Sequence, residues 1–344
     1  MNWMKAARLL SLTLIAVFFA LVLAFADLDK VGEALTGIRW CWALWVPILN
    51  VANTFVEALR LSVILFPIKK RLRVLNAFNS TLIAIIGNVM LPLRFGDGAR
   101  AYYIAKTEKI GLSSSLSALM LDRIADFLVF FSLVALTALL HPFPSSVTKM
   151  ALVAGVVFVA TIAVIFLLAG IGHRIGVNST GKIRSRIAEE VHKFMTGLSV
   201  MRNAGLLFPI VFCSVLSWFL RAAMIFVMIM AFGLDLPLIA TPITLILLNF
   251  GIAIVSTPAN LGGFELATVG ALSLFSVEIE VGVSYALALH FIEVAPMIAF
   301  GTLFLWFEGF KTRDVLKSVK ELQDQQELDK ADSSSIKENQ GAQS

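Results

Sequence analysis

The sequence is poor in charge, in cysteine and in the motifs of nucleotide and metal sites. Only 15% of its 344 residues are charged, 58% are hydrophobic and the mean hydropathy is +0.87, which excludes an ordinary soluble globular composition. Cys41 and Cys213 lie in apolar segments and provide neither a disulfide framework nor a CxxC pattern. No GxxxxGK(S/T) motif is present, which excludes a P-loop ATPase. The histidines have no HExxH-like spacing, so we expect no metal site and no cofactor: His141, His173, His192 and His290.

Long apolar runs dominate what the sequence does contain, and several reach the length of about 20 residues that spans a bilayer. They predict an all-α polytopic membrane protein. The net charge of +5 does not indicate nucleic-acid binding, because the basic residues lie beside the apolar runs, as in oriented membrane proteins. Six full spans are predicted: Leu9–Ala26, Trp40–Pro67, Leu116–Leu140, Ala151–Gly170, Gly205–Phe232 and Val281–Phe307.

The first run follows Lys5 and Arg8, and this order predicts a cytoplasmic N-terminus. Ala24–Ala26 has the form of a signal-peptidase site, but the run is long for a signal-peptide core and further spans follow it. We therefore expect a retained first helix, and then an external loop over Asp27–Arg39.

Two more apolar stretches, about 74–111 and 238–280, are predicted to be re-entrant hairpins. If the first crossed the membrane completely, the loop Gly172–Asn203 with its six Lys and Arg residues would be external, against the positive-inside rule. Basic residues from Lys311 onward likewise place the C-terminus inside, so the second stretch must leave on the outer side where it began. Six spans with two hairpins from opposite faces are typical of an inverted-repeat transporter.

Each predicted hairpin contains a break rich in Pro, Gly and charged residues. The first break is Asn88–Arg100 and the second is Thr257–Glu265. Ionisable groups and non-helical backbone at membrane depth are tolerated beside a polar cavity and indicate function. The alternative is that Arg94–Arg100 forms an ordinary loop at the membrane surface.

Together the breaks predict a site for an anionic head group, because a helix N-terminus attracts anions and arginine binds phosphate oxygens with a planar fork. Alternatively, Arg94 and Arg100 only neutralise Asp97 and Glu265. The predicted substrate-binding residues are Arg94, Gly96, Asp97, Arg100, Arg123, Asp126, Gly262, Gly263 and Glu265. The predicted supporting residues are Asn88, Pro92, Asp122, Pro258, Glu57, Arg60, Arg221 and Glu293.

Ionisable residues inside the spans also have informative spacing. Glu57 and Arg60 are three residues apart on one helix face, which predicts an ion pair between them. Asp122 and Asp126 share a face in the same way. A helix N-capped within Gly111–Ser115 would explain Asp122 as an acid of the first turn, but it explains the deeper Asp126 less well.

These motifs resemble the flippase-like membrane domain of lysylphosphatidylglycerol synthases and its stand-alone relatives. The family motif Pro-x-Arg-x-Gly-Glu-x-x-Arg is similar to Pro92–Arg100, with Asp97 in place of the usual Glu. The family's (Glu/Asp)-Arg-x-x-Asp resembles Asp122–Asp126, and its Pro and Gly-Gly region resembles Pro258–Glu265 more loosely. The last span of relatives often carries a basic residue where this chain has His290 and Glu293.

The resemblance covers roughly Leu9–Phe310 and implies movement of an anionic or polyisoprenyl-linked lipid between leaflets, or support of a lipid-modifying pathway. The bifunctional relatives add an aminoacyl-transferase domain, and because the chain stops at Ser344 we do not expect lysyl transfer.

Three functions are compared on these grounds. The favoured one is a lipid translocator, and the alternative is a non-transporting partner of a lipid-linked synthesis pathway that docks through the basic loop Arg174–Arg202. A head-group transferase is less favoured, because Asp97–Arg100 with Asp122 and Asp126 fails the spacing of the CDP-alcohol phosphotransferase signature. With no complete catalytic motif, we do not expect an enzyme.

The membrane domain is expected to span residues 1–310. Lys311–Leu328 has apolar residues at helical spacing among charges and predicts an amphipathic helix at the cytoplasmic interface, while the polar residues 329–344 are predicted to be disordered. We expect residence in a bacterial cytoplasmic membrane with both termini inside. The expected partners are a phospholipid or isoprenoid lipid and enzymes of a lipid pathway, and not nucleic acid.

Overall fold

The computed structural model of the chain describes residues 28–90, 96–140, 204–254 and 257–307, with helical pieces between 148 and 167. These ranges are helical and contain no strand. The helices are α1 Leu28–Thr36, α2 Trp40–Ala43, α3 Trp45–Ile64, α4 Val74–Met90, α5 Gly96–Glu108, α6 Leu112–Leu140, α7 Ala204–Ala231, α8 Ala240–Ile254, α9 Gly263–Ser273 and α10 Ile279–Phe307. A short 3-10 turn, Pro258–Asn260, separates α8 from α9.

Four of the described segments are long and apolar enough to cross a membrane: Trp40–Ile64, Leu112–Leu140, Gly205–Ala231 and Ile279–Leu303. Two apolar helices are shorter, Val74–Val89 and Ala240–Ile254. The described part of the chain is therefore all-helical, and the chain is an integral membrane protein, as its composition predicts. The predicted span Leu9–Ala26, the loop 172–203 and the segments 311–328 and 329–344 lie outside the described residues, and Ala151–Gly170 is described only in part.

The predicted loop over Asp27–Arg39 is wrong, because α1 occupies most of it. Its charged residues suggested a loop, but Val31 and Leu35 are four residues apart and form an apolar helix face. Val31 is buried, and its carbonyl accepts a hydrogen bond from Ser284 Oγ at 3.1 Å, which holds α1 against α10.

The helices α4 and α5 form a first hairpin, in which the start of α4 lies beside the end of α5. At the closed end, a Cβ on Gly87 would lie 2.7 Å from Gly96 Cα, so only glycine allows the two helices to approach so closely. At the open end, the Glu108 carboxylate accepts hydrogen bonds from Asn76 Nδ2 and Lys69 Nζ, both at 2.6 Å. The stretch from 74 to 108 thus returns to where it began.

The helices α8 and α9 form a second hairpin with the same construction. A Cβ on Gly251 would lie 2.7 Å from the Gly263 carbonyl oxygen, so glycine again permits the close contact. The break between the helices places Ala259 and Asn260 in the left-handed region, at φ 54° and 58°. The 3-10 turn in this break packs against α4, which brings the second break to the first hairpin.

The described helices repeat one order: a long helix, a hairpin and a second long helix. This order runs from α3 to α6 and again from α7 to α10, and α3 and α7 pack along each other. One hydrophobic cluster surrounds the first hairpin and another surrounds the second. One face of α7 is instead exposed and apolar, as expected where a helix contacts lipid: Phe208, Val211, Phe212, Val215 and Phe219.

Candidate functional site

A buried arginine, Arg60 of α3, lies at the centre of a polar cluster. Its Nε donates to Asp122 Oδ1 at 2.7 Å, and its Nη1 donates to Asp126 Oδ1 at 2.5 Å and to Ser214 Oγ at 3.0 Å. The two acids lie one turn apart on α6, so a single guanidinium reaches both carboxylates. Arg60 is only 1% exposed, and pairing with two acids compensates for the burial of its charge.

The predicted ion pair of Glu57 with Arg60 is wrong. Glu57 instead accepts hydrogen bonds from Arg221 Nη2 at 2.5 Å and from Asn53 Nδ2 at 3.1 Å. Ser217 Oγ donates to Asn53 Oδ1 at 2.7 Å and extends this second group of contacts between α3 and α7. Arg60 turns to α6 because that helix supplies two carboxylates, while α7 supplies a separate arginine for Glu57.

Asp122 lies deeper in α6 than its interpretation as a first-turn acid requires. The helix begins at Leu112, ten residues earlier, so the helix-end explanation of Asp122 does not apply. Asp122 is 1% exposed and bridges two arginines through its two oxygens, at 2.7 Å to Arg60 Nε and 3.3 Å to Arg100 Nη1. It therefore joins the first hairpin to the central cluster.

A cavity of about 200 Å³ lies beside the N-terminal turn of α5. Its polar wall includes Arg123, whose Nη2 donates to Asp97 Oδ1 at 2.9 Å and whose Nη1 lies 4.0 Å from Asp126 Oδ2. Its apolar wall comes from α6. The lining residues are Asp97, Gly98, Arg100, Leu116, Leu119, Met120 and Arg123.

Arg100 is the least satisfied charged group of this cavity. Its side chain is 4% exposed, and its ion pair with Asp122, the one formed within the described ranges, is long at 3.3 Å. Within the described part of the chain, its Nε and Nη2 have no hydrogen-bond partner. Buried arginine donors without acceptors are costly, and an anion with two oxygens would satisfy both once a movement of the cavity wall let it reach them. The interpretation that Arg100 only neutralises Asp97 or Glu265 does not hold, because those acids pair with Arg123 and His290.

At the second break, Glu265 is 1% exposed and uses both carboxylate oxygens. Oε2 accepts the Gly262 backbone N–H at 2.7 Å, and Oε1 lies 2.5 Å from His290 Nδ1. The Phe264 ring stacks on the His290 imidazole with a centroid separation of 4.3 Å. Glu265 is therefore bound within its own hairpin and to α10.

The remaining predicted residues either make contacts between elements of the fold or lie outside the residues that the structure describes. Asn88 Oδ1 accepts the Gly96 N–H at 2.9 Å and closes the first break. The Glu293 backbone oxygen accepts from Asn50 Nδ2 at 3.0 Å. Pro258 belongs to the turn that packs on α4, whereas Pro92 and Arg94 lie outside the described residues. Among the residues described, no three His, Cys, Asp and Glu side chains cluster as metal ligands would.

The sequence interpretation missed His290 and the uncharged members of the cluster. A helical stripe would have revealed several of them, because polar residues recur on one face of α3 and on one face of α7. For His290 the sequence offered one signal, the resemblance noted above, since the last span of relatives often carries a basic residue at this place. The two stripes are Asn50, Asn53, Glu57 and Arg60, and Ser214, Ser217 and Arg221.

Comparison with known proteins agrees with the membrane architecture. A family model described as Lysylphosphatidylglycerol synthase TM region matches residues 8–301. The matched region contains both hairpins and every ionisable pair described above. No curated protein matches the chain.

Proposed function

The chain belongs to the lysylphosphatidylglycerol synthase TM-region family, and from this premise we propose that it is a membrane lipid translocator for an anionic or polyisoprenyl-linked lipid. Membership supports a role in membrane lipid biology. The observation that carries the narrower proposal is Arg100, which is buried beside a cavity and, in the described part of the chain, has two donors without acceptors. The N-terminus of α5 adds a second attraction for an anion at the same place.

The chemistry of the cavity favours a phosphate-bearing head group. Arg100 presents a fork for two phosphate oxygens. Arg123 lies on the same cavity wall and contacts Asp97 through a single carboxylate oxygen at 2.9 Å, so a bound anion can contact both arginines. The cavity accommodates a head group, and the apolar side of α6 beside it, where Leu116 is exposed, would contact the lipid tails.

We further propose that the two hairpins are re-entrant and enter from opposite membrane faces as an inverted repeat, with both termini in the cytoplasm. At about 1.5 Å per residue, α4 and α8 are roughly 25 and 22 Å long, shorter than a hydrocarbon core of about 30 Å. The repeated helix order and the packing of the second break on α4 support this arrangement. The basic flanks of the spans support the orientation, and the location that we propose is a bacterial cytoplasmic membrane.

The proposal describes a carrier and assigns no catalytic role, and a non-transporting partner of a lipid pathway is the competing outcome. Lipids retained by the purified full-length protein, identified by mass spectrometry, test the binding step. We expect wild type to be enriched in one anionic lipid, and Arg100→Lys to retain roughly tenfold less, because lysine keeps the charge but loses the fork.

Arg71→Lys is the matched control, since Arg71 is exposed and is not among the residues that line the cavity. It should retain the wild-type amount. No enrichment of anionic lipid in wild type, or equal retention by Arg100→Lys and wild type, would contradict the proposal. The sequence also predicts weaker retention for Arg94→Lys.

A further inference from the structure

The buried pair of Glu265 and His290 takes no part in the anion site proposed above. Its two atoms, Oε1 and Nδ1, lie 2.5 Å apart, and the two side chains are 1% and 8% exposed. The second carboxylate oxygen is fixed by the Gly262 N–H at the start of α9. The pair therefore joins α9 to α10 in a place that water hardly reaches.

A carboxyl and an imidazole in such contact can share one proton. With the proton the pair is neutral overall, as a carboxyl with an imidazole or as a carboxylate with an imidazolium. Without it, the pair carries one negative charge. Taking up or releasing one proton therefore changes the net charge of this buried site by one unit.

The pair also holds the strained break of the second hairpin. Ala259 and Asn260 have positive φ, a costly conformation for residues other than glycine, and it persists only when the surroundings enforce it. The Glu265 contact with Gly262 and the Thr257 Oγ1 contact with the Leu261 carbonyl enforce it here. Since this break packs on α4, a change at Glu265 reaches the first hairpin.

Few charged groups surround the pair within the described helices. On α10 itself, Glu293 lies one turn beyond His290. Arg221 of α7 acts electrostatically on Glu293 and pairs with Glu57 of α3. Helices α4 and α8 carry no ionisable residue, and the charged residues of α1 lie towards the Val31–Ser284 contact near the start of α10.

We propose that Glu265 and His290 form a proton-binding site that couples proton movement to lipid translocation, an inference that rests on the proposed function. Protonation weakens the hold of the carboxylate on Gly262, and deprotonation restores it. Different proton affinities in two arrangements of the break would link proton uptake to the movement of the hairpins. With one proton per lipid, a gradient of one pH unit biases the lipid distribution by at most about tenfold, equal to about 1.4 kcal/mol.

The test uses the full chain reconstituted in vesicles that contain fluorescent phosphatidylglycerol, with and without a pH gradient. In wild type the gradient should shift the final leaflet distribution by up to about tenfold. Glu265→Gln and His290→Gln should abolish this shift. Glu278→Gln, an exposed acid near the end of the same hairpin, should keep it. Wild-type transport that ignores the gradient, or a full shift in His290→Gln, would overturn the proposal.

A second measurement separates failure of the proton site from failure of the proposed function. If wild type moves no lipid under any condition, the translocator proposal fails, and NMR of ¹³C-labelled histidine then decides on the pair. The signal of His290 is assigned by its loss in His290→Gln. If the chemical shift of His290 titrates with pH, and the midpoint of this titration changes in Glu265→Gln, the result supports a proton shared by the two side chains. A signal that does not change throughout the pH range of the folded protein, or that titrates identically in Glu265→Gln, overturns it.

Discussion

Separating Arg60 from its acids tests how the polar cluster is stabilised. Arg60→Gln leaves Asp122 and Asp126 buried without the guanidinium that contacts both. We expect this change to lower the free energy of unfolding by about 3–5 kcal/mol, as is typical when one partner of a buried ion pair is removed. Adding Asp126→Asn should then cost less than it does in wild type, because Asp126 has already lost its contact with Arg60.

The magnitude follows from the burial of the three groups. At an effective dielectric constant of about 20, two unit charges about 4 Å apart attract by about 4 kcal/mol, so two carboxylates give Arg60 a gross attraction of roughly 8 kcal/mol. Dehydration costs several kcal/mol for each ion, which cancels most of that gain. The variant keeps the dehydration cost of its acids without the attraction, and the double-mutant cycle should give a coupling energy of about 0.5–3 kcal/mol.

A more exposed pair, Asp97 and Arg123, is the comparison for this cycle. Its side chains are 34% and 42% exposed, against 1% for Arg60 and 10% for Asp126, so its coupling energy should be the smaller of the two. Reversible unfolding of the full-length protein in mixed micelles measures both cycles. Additive effects of Arg60→Gln and Asp126→Asn, or a coupling no larger than that of the exposed pair, would refute the reasoning.

Three further predictions concern packing, pH and topology. Gly251→Ala should destabilise the protein by about 1–3 kcal/mol in the same unfolding assay, because its Cβ would crowd the Gly263 carbonyl. The control is Gly270→Ala, whose Cβ would have no atom within 4 Å, so this change should be neutral or stabilising by up to about 1 kcal/mol. Glu108 lies at the open end of the first hairpin, outside the four spans; burial raises its pKa, but hydrogen bonds from Lys69 and Asn76 together lower the pKa below its usual value. Its stabilisation is therefore present above the unfolded-state pKa and is lost as pH falls through the folded-state pKa, and Glu108→Gln should remove this acid dependence from unfolding curves. A cysteine at Ser185 in a cysteine-free background should resist labelling from outside, and strong external labelling there would contradict the re-entrant first hairpin.

Four of the predicted spans and the two helical hairpins were predictable because they depend on local quantities. Run length separates the long helices from the shorter Val74–Val89 and Ala240–Ile254, and the bias of Lys and Arg suggested that each short stretch returns. The contact of Glu108 with Asn76 agrees with that return for the first hairpin. The helix α1 was missed because three charged residues are spread among the apolar ones over only nine positions.

The ion pairs were harder to predict, because spacing along one helix shows which residues share a face but not which neighbouring helix supplies the partner. Glu57 binds an arginine 164 positions away, and Arg60 binds acids more than 60 positions away. These pairings depend on the packing of α3 against both α6 and α7. The contact of His290 with Glu265 depends in the same way on the packing of α9 against α10.

The central claim, that the Arg100 cavity carries an anionic lipid across the membrane, is tested most directly by measuring translocation of two fluorescent lipids in vesicles that contain the full-length protein. Wild type should move phosphatidylglycerol faster than zwitterionic phosphatidylcholine, and Arg100→Gln should slow phosphatidylglycerol by roughly tenfold or more, because the charged hydrogen bonds to its phosphate are lost. Equal rates for the two lipids in wild type, or an unchanged phosphatidylglycerol rate in Arg100→Gln, would contradict the claim.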